Sequence, residues 1–356
     1  MKSMNKAAIW LTLSLFASSV SANEVMAWVP PYGIAPSKTT LGGTYGKYKA
    51  KDGLSHIGLQ FWFPTSTGGV TFAGPTASDV QWFTDWGKTN NVKVLLTIYN
   101  ATNGWNWTLA VQAFANNRTA FANALVAEME EYKLDGVDID LEGNKLATSA
   151  NRTEFKAFIL ELSALLKPKG KILSICTFND LNSDNLPDQS WYADWVGKID
   201  YIHVMGYDEM YETASNKAQA YSAQQNLGAK AGYARSQVSM GLPGKDSWGG
   251  GSAIQHLNEC LTKPVEPASI CIWDLQFSAG WKTEEVWDAM VKIKNTVPPT
   301  GIGQAALLAA KPGWHPQLRV VDGKVEFIPA AKSSSIPTPS DAMGRILGGA
   351  LPAAAR

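Results

Sequence analysis

Eight short apolar runs rich in β-branched residues recur along the chain, and segments of helical length separate most of them. This alternation is typical of βαβ units built around a parallel sheet. The runs lie near residues 25–30, 56–63, 92–99, 134–142, 171–178, 200–207, 236–242 and 269–275. Eight strands alternating with helices predict an α/β fold, the (β/α)8 TIM barrel, whose active site lies at the carboxyl ends of its strands.

The segments between the runs predict helices near residues 77–90, 117–132, 152–167, 188–197, 213–231, 251–261 and 282–294. The Gly-, Lys- and Thr-rich stretch from Pro30 to Ser55 predicts no helix. An open doubly wound sheet would show the same alternation. Its nucleotide-binding glycine pattern is missing, because the similar run at Gly301 follows a Pro-Pro pair instead of a strand.

The two ends of the chain differ in composition from the middle. A basic start, an apolar run and then small residues predict a signal peptide at residues 1–22, cleaved after Ala22, and hence a secreted or periplasmic protein. The barrel is expected over residues 23–296. Residues 297–356 are rich in Pro, Ala, Gly and Ser and predict an extension with a small hairpin around Asp322-Gly323.

The equal numbers of acidic and basic residues limit the kinds of partner that this protein is expected to bind. With 31 basic and 31 acidic residues, the chain has no net field to attract nucleic acid or an anionic membrane. No segment after the N-terminal run is long and apolar enough for a membrane helix. The 14 tryptophans offer flat faces that stack on sugar rings, although tryptophan also fills cores. A monomer that binds an uncharged polymer is therefore expected.

The cysteines and histidines of the sequence give only weak evidence about disulfide bonds and metal binding. Cys260 and Cys271 could pair in an oxidising compartment, which would leave Cys176 as a buried free thiol. The four histidines lie without ligand spacing, so the sequence predicts structural roles for them and neither a metal site nor a cofactor. They are His56, His203, His256 and His315.

Three carboxylates share one face of the predicted strand near residues 134–142. Side chains alternate along a strand, so Asp138, Asp140 and Glu142 point to one side and the apolar residues between them to the other. The apolar side must meet the helix layer, so the acids point into the barrel lumen. Crowded buried acids retain protons and have raised pKa values, as a general acid near neutral pH requires. An amphipathic strand with one solvated face is the alternative, but that arrangement is typical of antiparallel sheets.

The run Asp135-x-x-Asp138-x-Asp140-x-Glu142 resembles the D-x-x-D-x-D-x-E motif of family-18 glycoside hydrolases, the chitinases and related endo-β-N-acetylglucosaminidases. The resemblance covers the predicted barrel from Glu24 to about residue 294. It implies a hydrolase of N-acetylglucosamine-containing polysaccharides or oligosaccharides that acts with retention and substrate assistance.

Two further segments are similar to the family. Met205-Gly206-Tyr207-Asp208 ends the sixth strand and resembles the motif M-x-Y-D. Trp273 ends the eighth strand, where the family has a tryptophan beneath the reacting sugar.

Roles follow from the resemblance. Glu142 would protonate the glycosidic oxygen, while the acetamido oxygen of the sugar attacks the anomeric carbon. Asp140 would orient the acetamide and balance the oxazolinium charge, Asp138 would share a proton with Asp140, and Tyr207 would donate a hydrogen bond to the acetamido carbonyl.

The set assigned to substrate binding combines the resemblance with loop position. It comprises Asp135, Met205, Asp208, Trp273, Tyr99, Trp62, Trp105 and Trp248, with Trp107 and Trp281 as further loop aromatics. Within this set Asp135 is expected to be an anchor at the start of the motif.

The chain also departs from the family. Members often carry S-x-G-G at the end of strand three, where this chain has Thr97-Ile98-Tyr99-Asn100, and the bulky Tyr99 would reshape the pocket floor. The short link between Leu242 and Gly251 leaves no room for the α+β insertion of many chitinases, which implies a shallower cleft. Chitin is the expected substrate. Peptidoglycan, the N-glycan core and a non-catalytic sugar-binding role remain alternatives, and the retained Glu142 argues against the last.

Overall fold

The computed structural model describes residues 22–72, 74–100, 107–142, 149–178, 193–205, 232–245, 251–262, 269–296, 317–321 and 324–328. The chain divides into two compact units, Met1–Pro298 and Pro299–Arg356. The predicted signal peptide at residues 1–22 lies almost wholly outside the described residues. No helix within the described ranges is long and apolar enough to cross a lipid bilayer.

The first unit contains eleven described strands. They are β1 Val25–Val29, β2 Thr44–Tyr45, β3 Tyr48–Lys49, β4 His56–Pro64, β5 Val70–Phe72, β6 Lys93–Tyr99, β7 Gly136–Asp140, β8 Ile172–Phe178, β9 Tyr201–Met205, β10 Val238–Pro243 and β11 Ile270–Trp273. Its described α-helices are α1 Ile34–Gly42, α2 Ala50–Gly53, α3 Ala77–Asn90, α4 Trp107–Val111, α5 Arg118–Glu131, α6 Ser149–Leu166, α7 Ala253–Thr262 and α8 Glu284–Asn295.

Eight of these strands form a closed parallel barrel. Their order is β1-β11-β10-β9-β8-β7-β6-β4, and β1 pairs with β4 to complete the ring. All eight correspond to the apolar runs of the sequence, so the predicted TIM barrel is confirmed. The chain passes directly from the end of β10 at Pro243 to the start of α7 at Ala253, without an α+β insertion domain.

The strands separate two apolar regions. The outer region, between barrel and helices, contains alternate strand residues such as Val137 and Ile139 of β7. The lumen holds a small cluster of Met26, Trp28, Leu95, Cys176 and Cys271. Asp138 and Asp140 of β7 are buried on the lumen side, so the predicted alternation of this strand is confirmed.

Local chemistry explains where several helices begin and end. α3 begins at a capping box, in which Thr76 Oγ1 accepts from Asp79 N and Asp79 Oδ2 accepts from Thr76 N. It ends at Asn91, which has a left-handed φ of 55°. The helices predicted near 77–90, 117–132, 152–167, 251–261 and 282–294 are confirmed as α3, α5, α6, α7 and α8.

The stretch from Pro30 to Ser55 corrects the sequence analysis, because it contains α1, α2 and the β2–β3 hairpin. Pro36 lies in the first turn of α1, where no intrahelical N–H bond is needed. Buried Leu41 then holds the helix on the outer apolar region. Tertiary packing of this kind stabilises a short helix that has little amphipathic pattern of its own.

Two predicted helices fall mostly outside the described residues. The helix near 213–231 lies wholly outside them, and that near 188–197 is described only from Ala193, where a 3-10 turn runs from Ala193 to Trp195. In the second unit the expected hairpin is present, as the antiparallel strands β12 Gln317–Val321 and β13 Lys324–Ile328.

The three cysteines are free and buried, so the expected pairing of Cys260 with Cys271 is wrong. Cys271 belongs to the lumen cluster, whereas Cys260 lies on α7 in the outer apolar region. Residues on opposite sides of the barrel wall cannot bring their sulfur atoms into bonding geometry.

Candidate active site

The carboxyl end of β7 carries the predicted row of acids. Asp138 is completely buried, Asp140 is almost completely buried, and Glu142 follows Leu141 just beyond the strand end. Because all eight barrel strands are parallel, their carboxyl ends meet at this end of the barrel. The row thus runs from the lumen toward the barrel mouth.

Asp138 is the most heavily bonded member of the row. Its Oδ2 accepts from Trp28 Nε1 at 2.9 Å and from Thr97 Oγ1 at 3.0 Å, and its Oδ1 accepts from Ser174 Oγ at 2.7 Å. His203 Nδ1 lies 3.0 Å from Oδ1. Burial alone would raise the pKa of Asp138, but the charge and hydrogen bond of His203 outweigh it and hold the pKa below its usual value. Asp138 is therefore an ionised carboxylate at neutral pH.

A glycine on β4 makes this arrangement possible. A Cβ atom added at Gly58 would come within 2.6 Å of Thr97 Oγ1 and 2.7 Å of the Trp28 ring. Both side chains donate to Asp138, and any larger residue at Gly58 would push them out of place.

The second ring nitrogen of His203 contacts another buried acid. His203 Nε2 lies 3.0 Å from Glu24 Oε2, and the side chains of both residues are completely buried. Burial alone would lower the pKa of His203, but the charges of Glu24 and Asp138 raise it to about 10. The ring is consequently an imidazolium that bridges two carboxylates at neutral pH.

Asp140 lies in a different environment. Its Oδ2 accepts from Gln60 Nε2 at 2.7 Å, while its buried Oδ1 has no hydrogen-bond partner among the described residues. Burial and the neighbouring charge of Asp138 raise the pKa of Asp140 to about 7. At neutral pH Asp140 can therefore hold or release a proton, as a group that exchanges protons during a reaction must.

Glu142 is held through its backbone by Asn100, the residue that follows β6. Asn100 Nδ2 donates to Glu142 O at 2.8 Å, and Glu142 N donates to Asn100 Oδ1 at 2.9 Å. Burial, followed by the charge of Asp140, raises the pKa of Glu142 well above its usual value. The site thus presents a fixed carboxylic acid that keeps its proton near neutral pH, which is the requirement for a general acid.

Aromatic side chains surround the acids. Tyr99 pairs in register with Asp140 and is mostly buried, with Phe63 edge-on at a ring-centroid distance of 6.4 Å. Trp273 ends β11 and lies 6.2 Å from the ring of Trp28. Tyr32, in the loop after β1, is 66% exposed and hydrogen-bonds Asp274. These rings give the mouth of the site apolar walls.

Other predicted site residues lie elsewhere or outside the described ranges. Met205 ends β9 and packs against the lumen cluster, beside the site. Asp135 lies before β7, where its carboxylate contacts Lys93 Nζ at 2.9 Å and accepts from Val94 N. That is the amino end of the barrel, so Asp135 is an anchor between strands and its place in the substrate-binding set is corrected. Tyr207, Asp208, Trp105 and Trp248 lie outside the described residues.

Three of the predicted aromatic platforms are packing residues. Trp62 lies within β4, is completely buried, and donates from Nε1 to Glu128 Oε2 at 2.9 Å. Trp107 and Trp281 also belong to the outer apolar region. A ring covered by protein cannot stack on a sugar, so these three assignments are corrected.

One group of lumen side chains has ligand atoms close enough for a metal ion. The ligand atoms of Asp138, Cys176 and His203 lie within 4.8 Å of one another. Hydrogen bonds explain this group, because both nitrogens of His203 already contact carboxylates. A protonated imidazole cannot bind a metal, so the arrangement does not favour one.

Sequence reasoning missed several residues of the site. Gln60 and Asn100 contact Asp140 and Glu142 directly, and His203 joins Asp138 to the buried Glu24 deeper in the lumen, yet none of them belongs to the acidic motif. A weak signal existed for Gln60 and His203, because polar residues at alternate positions of otherwise apolar runs point into the lumen.

Comparisons with known proteins agree with the fold. The family described as glycosyl hydrolases family 18 matches residues 32–294. No curated protein sequence matches the chain. Among solved structures, the GH18 chitinase ChiB from Flavobacterium johnsoniae aligns with a TM-score of 0.57 at 16% identity, covering 77% of this chain and 94% of that one.

Two further structures share the fold. A chitinase from Chromobacterium violaceum aligns with a TM-score of 0.58 at 13% identity, over 77% of this chain and 100% of that one. The spore cortex-lytic enzyme SleL from Bacillus cereus aligns with a TM-score of 0.60 at 14% identity, over 79% of this chain and 76% of that one. The family match spans most of the chain and includes the whole acidic row, so the chain belongs to the family-18 glycoside hydrolases.

Proposed function

We propose that this glycoside hydrolase cleaves β-1,4 bonds at N-acetylglucosamine residues, with chitin or chitooligosaccharides as its substrate. The observation that supports this most is the row of Asp138, Asp140 and Glu142 at the carboxyl end of β7. Its inner member is ionised, its middle member has a pKa of about 7, and the pKa of its outer member is well above the usual value. A fixed charge, a group that can hold or release a proton and an acid that keeps its proton suit acid catalysis beside a developing positive charge.

In the proposed reaction Glu142 donates its proton to the glycosidic oxygen. The acetamido oxygen of the sugar attacks the anomeric carbon, which forms a cyclic oxazolinium ion and releases the leaving sugar. Water, activated by Glu142 as its carboxylate, then opens the ring. No protein nucleophile is needed, and the configuration at the anomeric carbon is retained because two displacements occur in succession.

Asp140 and Tyr207 are proposed to hold the acetamide. Asp140 lies next to Glu142 on the same face, and its Oδ1, which has no hydrogen-bond partner in the described part of the chain, offers an acceptor for the acetamide N–H. Tyr207 would donate to the acetamide carbonyl. Trp273 at the end of β11 is proposed as the floor beneath the reacting sugar, where its indole face would stack on the ring.

A second candidate substrate is another polymer of N-acetylglucosamine, either peptidoglycan or the N-glycan core. Tyr99 supports this second candidate. It lies beside Asp140 in the barrel, so its ring alters the shape of the pocket wall that would contact the sugar. The fold is shared by chitinases and by a spore cortex-lytic enzyme, so the fold itself does not choose among the polymers.

A digestion panel tests the proposal. The purified enzyme would be incubated with chitin, peptidoglycan, a high-mannose glycoprotein, cellulose and fully deacetylated chitosan, with Glu142→Gln as the inactive control. We expect cleavage of chitin and none of the last two polymers, because they lack the acetamido group that acts as nucleophile. A thiazoline analogue of the oxazolinium ion should inhibit. Cleavage of cellulose would mean that a protein side chain or water, and not an acetamido group, attacks the sugar.

Early NMR spectra of the product test the mechanism separately. The first reducing ends released from a β-linked substrate should be the β-anomer. An initial α-anomer would indicate single displacement by water and would reject substrate assistance.

We also propose that the enzyme is exported as a monomer after removal of residues 1–22. The basic and apolar composition of this segment supports export. N-terminal sequencing of the mature protein should begin at Asn23, and light scattering should give the mass of one chain.

A further inference from the structure

Glu24 has no part in the reaction described above, yet it is one of the most enclosed charged groups of the barrel. Its side chain is completely buried just before β1. Ser239 Oγ donates to its Oε2, and its backbone N–H donates to Ser269 Oγ at 2.8 Å. His56 Nδ1 lies 3.6 Å from its Oε1. Burying a charge is costly unless it is paired, and the partners of Glu24 on several strands supply that pairing.

A continuous chain of contacts joins Glu24 to the acidic row. His203 Nε2 lies 3.0 Å from Glu24 Oε2, and His203 Nδ1 lies 3.0 Å from Asp138 Oδ1. The ring is held edge-on to Trp28, at a centroid distance of 5.3 Å and an interplanar angle of 89°. Both ring nitrogens are therefore committed, and His203 can neither rotate nor lose a proton without breaking one of the two contacts.

The same contacts decide where a proton can reside in the row. Asp138 accepts from Trp28, Thr97 and Ser174 in addition to His203, so its oxygens are already occupied by donors. Asp140, by contrast, has a buried oxygen without a partner among the described residues. A carboxylate that accepts several hydrogen bonds is stabilised in its ionised form. A neighbouring carboxyl group that accepts fewer hydrogen bonds and lies close to that negative charge is stabilised in its protonated form.

We propose that Glu24 is a positioning residue for the hydrolysis: through His203 it fixes the charge and orientation of Asp138, so that the proton of the row stays on Asp140 and Glu142. The inference rests on the proposed function, because it assigns Glu24 a role in acid catalysis by this row. Glu24 itself touches neither the sugar nor the reacting atoms.

The surroundings of the ring support this assignment. The titratable groups that face His203 or its two partners are Glu24, His56, Asp138, Asp140, Cys176, Tyr201 and Cys271. Glu142 faces Asp140 and Cys176. Burial lowers the pKa of His56 and raises the pKa of both thiols, so these three groups are neutral near pH 7. Within the described part of the chain, His203 is therefore the cation that faces these carboxylates.

The ring charge can be measured without any turnover. In protein labelled with 15N-histidine, the His203 resonances can be assigned from their contacts to Trp28, which lies edge-on to the ring. We expect imidazolium shifts from pH 6 to at least pH 8, since the pKa of His203 is about 10. A ring that becomes neutral below pH 7 would overturn the proposal, even in a fully active enzyme.

The variant Glu24→Gln then tests the link to catalysis. It removes one negative charge and keeps the shape, so the imidazolium is less neutralised and lowers the pKa of Asp140, the member of the row that its charge already lowers. The alkaline limb of the kcat profile that follows the proton of Asp140 should move to lower pH by about one unit, while KM changes less than about twofold. Glu24→Asp keeps the charge and should leave the limb close to its wild-type position.

Ser163→Ala is the matched control, because Ser163 is buried on α6 and bonds Lys198 O, far from the acidic row. It should lose stability without any shift of the pH profile. If Glu24→Gln behaves in the same way, Glu24 is merely structural and the proposal is wrong. Should that variant fail to fold, the NMR titration of the wild-type ring still decides. If the enzyme cleaves none of the polymers, the proposed function fails and the catalytic role of Glu24 fails with it, whereas a ring that is neutral below pH 7 in an active enzyme rejects the role of Glu24 alone.

Discussion

The lumen of the barrel and the region between barrel and helices are built from the same strands but by opposite rules. On β7, Val137 and Ile139 face a large apolar region, whereas Asp138 and Asp140 face charges and hydrogen-bond donors. The outer region stabilises the fold by removing apolar surface from water. The lumen at this point lacks that stabilisation, and it holds instead an ionised Asp138 beside Asp140, which exchanges its proton near neutral pH, and Glu142, which keeps its proton. Substitutions on the outer face of β7 should therefore lower mainly the stability of the protein, and substitutions on its lumen face should change mainly the activity.

The largest expected effect is at the mouth of the lumen. Glu142→Gln keeps the side-chain shape and removes the proton, so turnover should fall about a hundredfold to ten-thousandfold with binding and folding nearly intact. Initial rates on a chromogenic chitotriose substrate, together with calorimetric binding, would measure both. Asp135→Asn is the matched control, being the same type of change at the other end of the motif. Retention of more than about a tenth of the turnover would remove Glu142 from its role as the acid.

Ile139→Ala should show the opposite behaviour. Ile139 is completely buried in the outer region, and truncating such a side chain lowers the free energy of unfolding by about 2–5 kcal/mol. Turnover per folded molecule should change little, because the carboxylates on either side keep their own contacts. Urea unfolding and active-site titration would measure the two quantities. A large loss of turnover in the folded fraction would mean that the two faces of β7 are not independent.

Asp140→Asn tests the lumen face of β7 through the pH dependence of protein stability. The pKa of Asp140 is about 7, above the unfolded value of 3.8, so the carboxyl favours folding in its protonated form. That contribution is fully present below about pH 4 and is lost as pH rises through about 7. The neutral amide has no such loss, so the variant should gain stability relative to wild type between pH 4 and pH 8. Thermal unfolding at both values would show it. An equal difference in Tm at the two values would mean that Asp140 is not destabilised by ionisation.

Asn100→Ala tests how the acid is held. The amide makes two hydrogen bonds to the backbone of Glu142, and losing them should lower kcat by about tenfold through misplacement of the acid, with a stability loss of about 1–3 kcal/mol. The pH optimum should stay nearly unchanged, because no charge is removed. A drop in stability alone would show that Glu142 keeps its position without this clamp.

The smallest effect is expected at the amino end of the barrel. Asp135 and Lys93 form a partly exposed pair, and such pairs contribute less than about 1 kcal/mol. An asparagine at this position can still accept from Val94 N, so Asp135→Asn should retain full activity and nearly full stability. A marked loss of activity would return Asp135 to the substrate-binding set.

The regular parts of the molecule were predictable from local pattern. The eight apolar runs, the helices α3 and α8 and the alternation of β7 depend on residues close together in the chain, and all are confirmed. Trp62 shows where such reasoning fails. Trp62 lies within the predicted strand at residues 56–63, where plain alternation with Gln60 would point it into the lumen. The pairing of β4 with β6 shifts register between Leu59 and Trp62, and the ring lies on the covered face instead. A β-bulge of this kind changes which way the following side chains point, and local pattern does not reveal it.

The sequence alone determined the barrel, the row of three acids and their common face, because periods of two and of three to four residues are local properties of the chain. Only the tertiary structure decided the charge state of that row. Glu24 and His203 lie 179 positions apart, and Gln60 and Asp140 lie 80 apart, yet each pair is in hydrogen-bond contact across the lumen. Closure of the sheet into a ring brings such residues together and removes water from between them. The protonation of each acid then depends on burial and on neighbouring charges, which no local pattern encodes.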